Sequence, residues 1–464
     1  MKAVFIGGGA HRVVGILRGA LAGSDVLAGG EVHLHDLDAS RAELVARTVM
    51  QTPECAGRDC RITWGGSLPK ALEGADAVSV ILMAGSRLSF ELSTLACFRH
   101  GFLPSDNVSP SGAFLAVKGG RTLLGIAREM ERRCPGAWLF DFANPIAVFS
   151  AMLNHHTRTR SLGVCAGYLN HFWDLPRLMG RDEFDPAFDV EVAGINHCSF
   201  ILRGTYRGED LLAVMDRTLT EDWKPVRLKR HWDPVTRRNI GIGLRKMWEF
   251  YRNLGVLVFS TEFDGMWHLF YDEALAERQA AGAAATPAQV RAGCRGGDAA
   301  RRRGDDALRR LIAEPHTARF WAREAHGHYG LIRQDHDIIA RLLQGVGGRR
   351  PVTVVASRPA EGAVAGLKPR TVVEHSLVMQ RGELKPRGTY TIPDSVHGLM
   401  SALATHQTLL GDAIATEDPR LLAQALLAYP VRPNSRAQKT LYRDLLRINA
   451  DEIPPDLRRA TEWL

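Results

Sequence analysis

Cysteine is scarce in this chain and its placement has no pattern. Seven residues, at positions 55, 60, 97, 134, 165, 198 and 294, are an odd number spread through 464, which excludes a disulfide framework and reads mostly as small core residues. Long apolar runs are missing as well: no stretch approaches the roughly 18 consecutive apolar residues of a membrane span. The N-terminus has no leader-like apolar region, because Met1-Lys2-Ala3-Val4-Phe5-Ile6 runs straight into glycines. A net charge of +8 invites a nucleic-acid reading, but no recognised binding module accompanies it. Much of the excess is arginine in an Arg/Ala/Gly-rich stretch from Arg278 to Arg310 that reads as a solvated segment. These absences predict a soluble, cytoplasmic protein without nucleic-acid or membrane partners.

What is present is the material of an α/β enzyme. Apolar residues make up 45% and charged residues 24%, ordinary values for a globular chain, and this length accommodates a nucleotide-binding domain with a long substrate domain. Lys2 to Ile6 reads as a strand, followed by Gly7-Gly8-Gly9-Ala10-His11, a helix-like run from Val13 to Leu27, and a second strand Glu31 to His35 ending at Asp36. That order is a dinucleotide-binding βαβ unit. The turn from Gly7 to His11 brings backbone amides to a pyrophosphate, and Asp36 accepts from the adenosine ribose, which favours NAD over NADP. The fingerprint departs at its last glycine, where Arg12 stands.

Further strand–helix units follow. Ala75 to Leu82 is a buried parallel-type strand that opens toward Arg87. A polar turn at Ser109 to Gly112 leads into a long helix from Leu115 to Arg133. Ala137 to Phe142 is a strand stopped by Asn144-Pro145. Arg160 to Val164 delivers Cys165, and Val190 to Ile195 delivers Asn196-His197. A thiolate and an imidazole at successive strand ends make a two-ligand metal site with room for a substrate. Later, 349–355 and 371–379 read as strands, and 396–410 and 420–427 as amphipathic helices. The predicted class is a Rossmann-type doubly wound parallel sheet over 1–197, followed by an α+β catalytic and oligomerisation domain over 198–464.

The glycine-rich start, the Asp76 strand, Asn144-Pro145, Cys165 and Gly194-Ile195-Asn196-His197 together resemble glycoside hydrolase family 4. The likeness continues through Leu254-Gly255 to Tyr271, Gly362 to Glu374 and Ala413 to Pro430. This resemblance implies a glycosidase that uses NAD and a divalent metal, typically Mn2+, an exception to the two-carboxylate mechanism. It implies hydride removal from sugar C3, deprotonation at C2, elimination of the aglycone, water addition and re-reduction. Cys165 and His197 are the implied metal ligands, with Arg87, Asn144, Asn170 and Asn196 on the substrate side and a homodimer or homotetramer as the assembly. Tyr271, Asp264 and Glu262 all stand as candidates for the C2 base.

Departures bear on the substrate. Where many members have a polar residue after the metal cysteine, this chain has Ala166, so either leaving-group protonation comes from water, Tyr168, Asn170 or His171, or the substrate differs from the usual set. No close copy of a sugar-phosphate set is present, although Arg87 and Lys118 are placed to meet an anionic group. Two rival readings share the N-terminal frame: an NAD-dependent dehydrogenase of the malate or lactate type, and a non-catalytic NAD sensor.

Overall fold

The computed structural model describes residues 1–83, 85–229, 232–260, 262, 264–269, 273–314, 316, 317, 320 and 338–464. Its strands, in chain order, are β1 (Lys2–Ile6), β2 (Gly30–His35), β3 (Cys60–Trp64), β4 (Ala77–Val80), β5 (Trp138–Asp141) and β6 (Arg160–Gly163), then β7 (Phe188–Ile195), β8 (Cys198–Tyr206), β9 (Glu209–Asp210), β10 (Leu257–Val258), β11 (Val352–Pro359), β12 (Val372–Gln380) and β13 (Glu383–Pro386). They form one sheet, in the order β10-β8-β7-β12-β11-β6-β5-β4-β1-β2-β3, with β13 on β12 and β9 on β8.

From β3 to β6 the strands are parallel, in the doubly wound order whose reversal lies between β1 and β4. All four residues of β4 and of β5 are buried, because helices cover both faces of a parallel sheet and leave no solvated side to alternate toward. Gly7, just past β1, has φ +81°, and a Cβ there would lie 1.9 Å from the Ile81 carbonyl oxygen. Only glycine fits that turn.

The second half continues the same sheet. Ser357 of β11 pairs with Gly163 of β6, β11 pairs with β12 over its whole length, and β12 pairs with β7 at Glu374↔Gly194 and His375↔Ala193. β7 and β8 form a hairpin closed at Ile195↔Cys198, so the predicted division at 197/198 falls in its turn.

Helices lock the layers. The helix Pro110–Arg133 starts with proline after Ser109, whose side chain accepts the Gly112 N–H, so one otherwise unpaired donor is capped. It packs on the helix Asp394–Thr416, with Gly120 against Ile414. The run predicted as one helix to Leu27 ends at Gly23 and is followed by a 3-10 turn Asp25–Leu27. Among the described residues no helix is long and apolar enough to cross a membrane.

Candidate active site

Two groups of residues meet at the C-terminal edge of the parallel strands. The first surrounds the glycine turn. Asp36, one residue past β2, accepts from the Gly9 N–H at 2.9 Å and, on its other oxygen, from the Asp38 N–H at 3.0 Å. These bonds hold the carboxylate at the mouth of a cleft of about 560 Å³ lined by Gly7, Gly9, Ala10, Asp36, Arg41 and Arg301, among others. Arg12, where the fingerprint would have glycine, is exposed, so its side chain meets no packing limit. The predicted turn residues Gly7, Gly9, Ala10 and Asp36 therefore line one cavity; Gly8 is buried beneath it.

His11 is the residue before the helix Arg12–Gly23, and its Nε2 lies 2.5 Å from Asp305. Arg41 Nη2 donates to the Gly9 carbonyl oxygen at 3.0 Å and stands 3.5 Å from the same carboxylate. Asp305 comes from the helix Pro287–Ala313, the arginine-rich stretch that the sequence reads as solvated. That expectation is corrected on one face: Gly304, Asp305 and Leu308 are buried, and a Cβ on Gly304 would sit 2.3 Å from the His11 ring. Backbone approach at this glycine brings the helix onto the cleft, which Arg301 also lines, while Arg302 and Arg303 remain exposed.

The second group is the metal-type cluster. Cys165 leaves β6 and opens the 3-10 turn Ala166–Asn170, with the Gly167 N–H directed at its sulfur at 3.3 Å. His197 sits in the β7–β8 turn with φ 64°. Glu262 joins them: its Oε2 is 3.6 Å from the Cys165 sulfur and 3.4 Å from His197 Nε2. One donor atom from each of the three lies within 4.8 Å of the others. Behind the imidazole, Nδ1 is 2.9 Å from Asp264. A ligand histidine oriented through its second nitrogen by a carboxylate is a recurring outer-sphere arrangement in metal sites.

The electrostatics match. Burial raises the Cys165 thiol above its ordinary pKa and the Glu262 charge adds to this. Burial opposes protonation of His197, yet Asp264, Cys165 and Glu262 hold its pKa well above the usual imidazole value. Glu374 is buried beneath the site and its pKa is raised by that burial. A cluster with Glu262, Asp264 and the buried Glu374 around one imidazole is complementary to a bound cation, and thiolate, imidazole and carboxylate suit a transition-type dication.

A side-chain network links this cluster to Asn144. The Asn144 amide donates to Asp106 at 2.9 Å. Asn107 donates to the side-chain oxygen of Asn196 and lies 3.4 Å from that of Asn144. Asn196 in turn donates to Glu374 at 2.9 Å, and Ser199 donates to the other Glu374 oxygen at 2.8 Å. Asn196 is buried with both amide atoms engaged, and these bonds brace the β7–β8 turn. Asp106, Asn107 and Glu374 were not among the sequence candidates. The Ser105-Asp106-Asn107 run before the Ser109 cap was the available signal for two of them.

Other candidates are placed as follows. Arg87 opens the helix Arg87–Arg99, lies 3.6 Å from Glu91, and packs under Gly297 of the arginine-rich helix. The Asn170 amide lies beside Gly167. Tyr168 is buried with its hydroxyl toward the Thr353 carbonyl, and His171 bonds the Tyr168 carbonyl at 2.8 Å with its pKa pushed down by burial to about 3. Both side chains are buried and engaged with backbone carbonyl oxygens. Lys118 is buried and donates to Ser89. Tyr271 lies outside the described residues.

Known proteins match this chain along nearly its whole length. The description "Family 4 glycosyl hydrolase" fits residues 2–175, and its C-terminal domain fits residues 192–431. The chain is 23% identical over 463 residues to a probable 6-phospho-beta-glucosidase of Bacillus subtilis (98% of this chain, 97% of that protein). It is 25% identical over 455 residues to an alpha-galacturonidase of the same organism (96% and 97%). Among solved structures, a 6-phospho-alpha-glucosidase from gut microorganisms in complex with NAD and glucose-6-phosphate superposes with a TM-score of 0.80 at 15% identity, covering 98% of this chain and 99% of that one. The Thermotoga maritima 6-phospho-beta glucosidase with manganese, NAD+ and glucose-6-phosphate gives 0.72 at 16% identity over the same shares. A Plasmodium falciparum malate dehydrogenase reaches 0.51 at 10% identity, covering 89% of this chain and 99% of that one. The chain belongs to the family 4 glycosyl hydrolases.

Proposed function

We propose that this protein hydrolyses a glycoside by the NAD- and divalent-metal-dependent route, with Cys165 and His197 as metal ligands and Glu262 as a third donor. The observation that carries the reading is the convergence of Cys165, His197 and Glu262 on the same sheet whose β1 and β2 ends carry the dinucleotide cleft. When bound, NAD supplies a reversible hydride acceptor for sugar C3, and the dication supplies Lewis-acid polarisation beside the C2 and C3 oxygens. With both groups held there, the route would run through oxidation at C3, deprotonation at C2, elimination of the aglycone, hydration and re-reduction.

The chain's own residues divide this work. Asp36 selects the unphosphorylated ribose, since its charge repels a 2′-phosphate. Asp264 holds the Nδ1 proton of His197, which leaves Nε2 for the site. Asn144 orients sugar hydroxyls. Asp106, exposed and bonded to Asn144, is the residue we assign to move a proton at the glycosidic oxygen, the task that Ala166 cannot perform. With Asp264 committed to His197 and Glu262 to the metal, the C2 base falls to Tyr271.

Support for the redox route over a malate-type dehydrogenase comes from the same convergence, which a dehydrogenase leaves without a task. The relatives' names point to 6-phosphoglycosides and galacturonides as the first sugars to try. Aryl glycosides of both classes, and neutral ones, should release their phenol only with NAD, Mn2+ and a reductant present. Release that persists after both cofactors are stripped would sink the mechanism. Deuterium at C2 or C3 should slow the reaction through a primary isotope effect, which a carboxylate glycosidase does not show. Homo-oligomerisation follows from the family resemblance and is read by light scattering.

A further inference from the structure

Away from the active site, a second set of donors converges. His155 and His156 end the helix Ile146–His156, about 16 Å from its start beside Asn144 at 1.5 Å per residue. Asp412 belongs to the helix Asp394–Thr416 packed against it, and Arg370 lies in the turn before β12. His155 Nδ1 and His156 Nε2 are each 2.8 Å from the same Asp412 oxygen, Oδ1. His155 Nε2 is 2.8 Å from the Arg370 carbonyl oxygen.

A carbonyl oxygen only accepts, so His155 Nε2 carries a proton. In the neutral ring Nδ1 is then a bare lone pair, and it faces a carboxylate oxygen that also only accepts. Two acceptors 2.8 Å apart require a positive charge between them, either a second proton on the ring or a metal ion. His156 Nε2 converges on the same oxygen, and all three donor atoms lie within 4.8 Å of one another. The bond from His155 Nε2 to a backbone carbonyl is the support that ligand histidines commonly have. The His155 and Asp412 side chains are 8% and 9% exposed, whereas His156 is 27% exposed, which leaves one open side for entry. Arg370 is the competing cation: its Nη2 is 2.8 Å from the other Asp412 oxygen and 3.2 Å from His155 Nδ1. Its side chain is 60% exposed and has room to turn outward.

We propose that His155, His156 and Asp412 form a second divalent-cation site of the zinc or cobalt type, which ties these two helices together and is held in check by Arg370. Two imidazoles and a carboxylate are borderline donors suited to such ions. The site is independent of the thiolate cluster, and cobalt distinguishes them because only a cysteine-bound ion shows sulfur-to-metal charge-transfer absorption.

The test is a Co2+ titration of the full-length protein after chelator treatment, with Zn2+ as competitor. Wild type should bind one equivalent that lacks sulfur charge transfer. H156A should weaken that equivalent by at least about tenfold and leave glycosidase activity unchanged, while R370A should tighten it by about tenfold through loss of a like charge. Wild-type stoichiometry and spectrum retained in H156A would overturn the proposal, and so would unchanged or weaker binding in R370A, whose exposed side chain keeps that variant folded. Failure of the active-site metal reading shows separately, as absence of the charge-transfer band that Cys165→Ser should abolish.

Discussion

Asp264 shows how a single side chain decides the chemistry of its neighbour. Imidazole presents one donor and one acceptor when neutral, and the 2.9 Å contact at Nδ1 assigns the proton to that side. Nε2 is thereby turned toward Glu262 and Cys165. Asp264→Asn exchanges a pure acceptor for an amide and removes the charge behind the ring, so metal affinity should fall about 10–100-fold, with activity falling in step. Equilibrium dialysis with Mn2+ checks this; wild-type affinity in the variant would remove Asp264 from the site. At the same scale His171 and Tyr168 illustrate the opposite outcome. Tyr168 lies one turn and His171 two turns after Cys165, but burial among aromatic rings suppresses the charged imidazole and the phenolate alike.

At the scale of elements, two devices bring distant segments to the strand ends. The β7–β8 hairpin presents His197, and its turn is braced from β12 through Glu374 and from the Asn107 loop. The helix Pro287–Ala313 closes over the dinucleotide cleft, seating Asp305 on His11 and near Arg41. Gly304 marks the closest approach of that helix, so Gly304→Val places a branched side chain into the His11 ring and lifts the helix off. NAD binding should weaken several-fold in a fluorescence titration, whereas metal binding at Cys165 should not change. An unaltered NAD affinity would show that the helix contributes nothing to cofactor binding.

The whole molecule rests on one sheet. β11 of the late chain joins β6 of the early chain, and β7 and β8 pair across the 197/198 position, so neither segment completes its hydrogen-bonded edges alone. We therefore expect the two segments matched by the family descriptions to unfold together. Calorimetry should show a single transition whose calorimetric and van't Hoff enthalpies agree. Two separated transitions, or a stably folded fragment of residues 1–197, would contradict this. The arginine-rich composition belongs to this scale too, because it leaves the whole protein basic, with a net charge of +8.

Much of the first half was legible because its signals are local. A glycine turn after a short apolar strand, an acid after the next strand, and Cys165 and Asn196-His197 at later strand ends are written in adjacent residues. The six-strand parallel order follows from repeated strand–helix alternation and the handedness of its crossovers. Other features depended on contacts that no window of sequence contains. Glu262 reaches Cys165 across almost a hundred positions, Glu374 supports Asn196 from a strand late in the chain, and the Arg278–Arg310 stretch packs one face on the cleft. For Asp264 and Glu262 the sequence named the residues as candidate bases, but their neighbours determine their partners. Local patterning sets which residues end strands and open helices. Which of them meet is decided by the sheet, since its pairing brings β7, β12 and β6 together and closes the site.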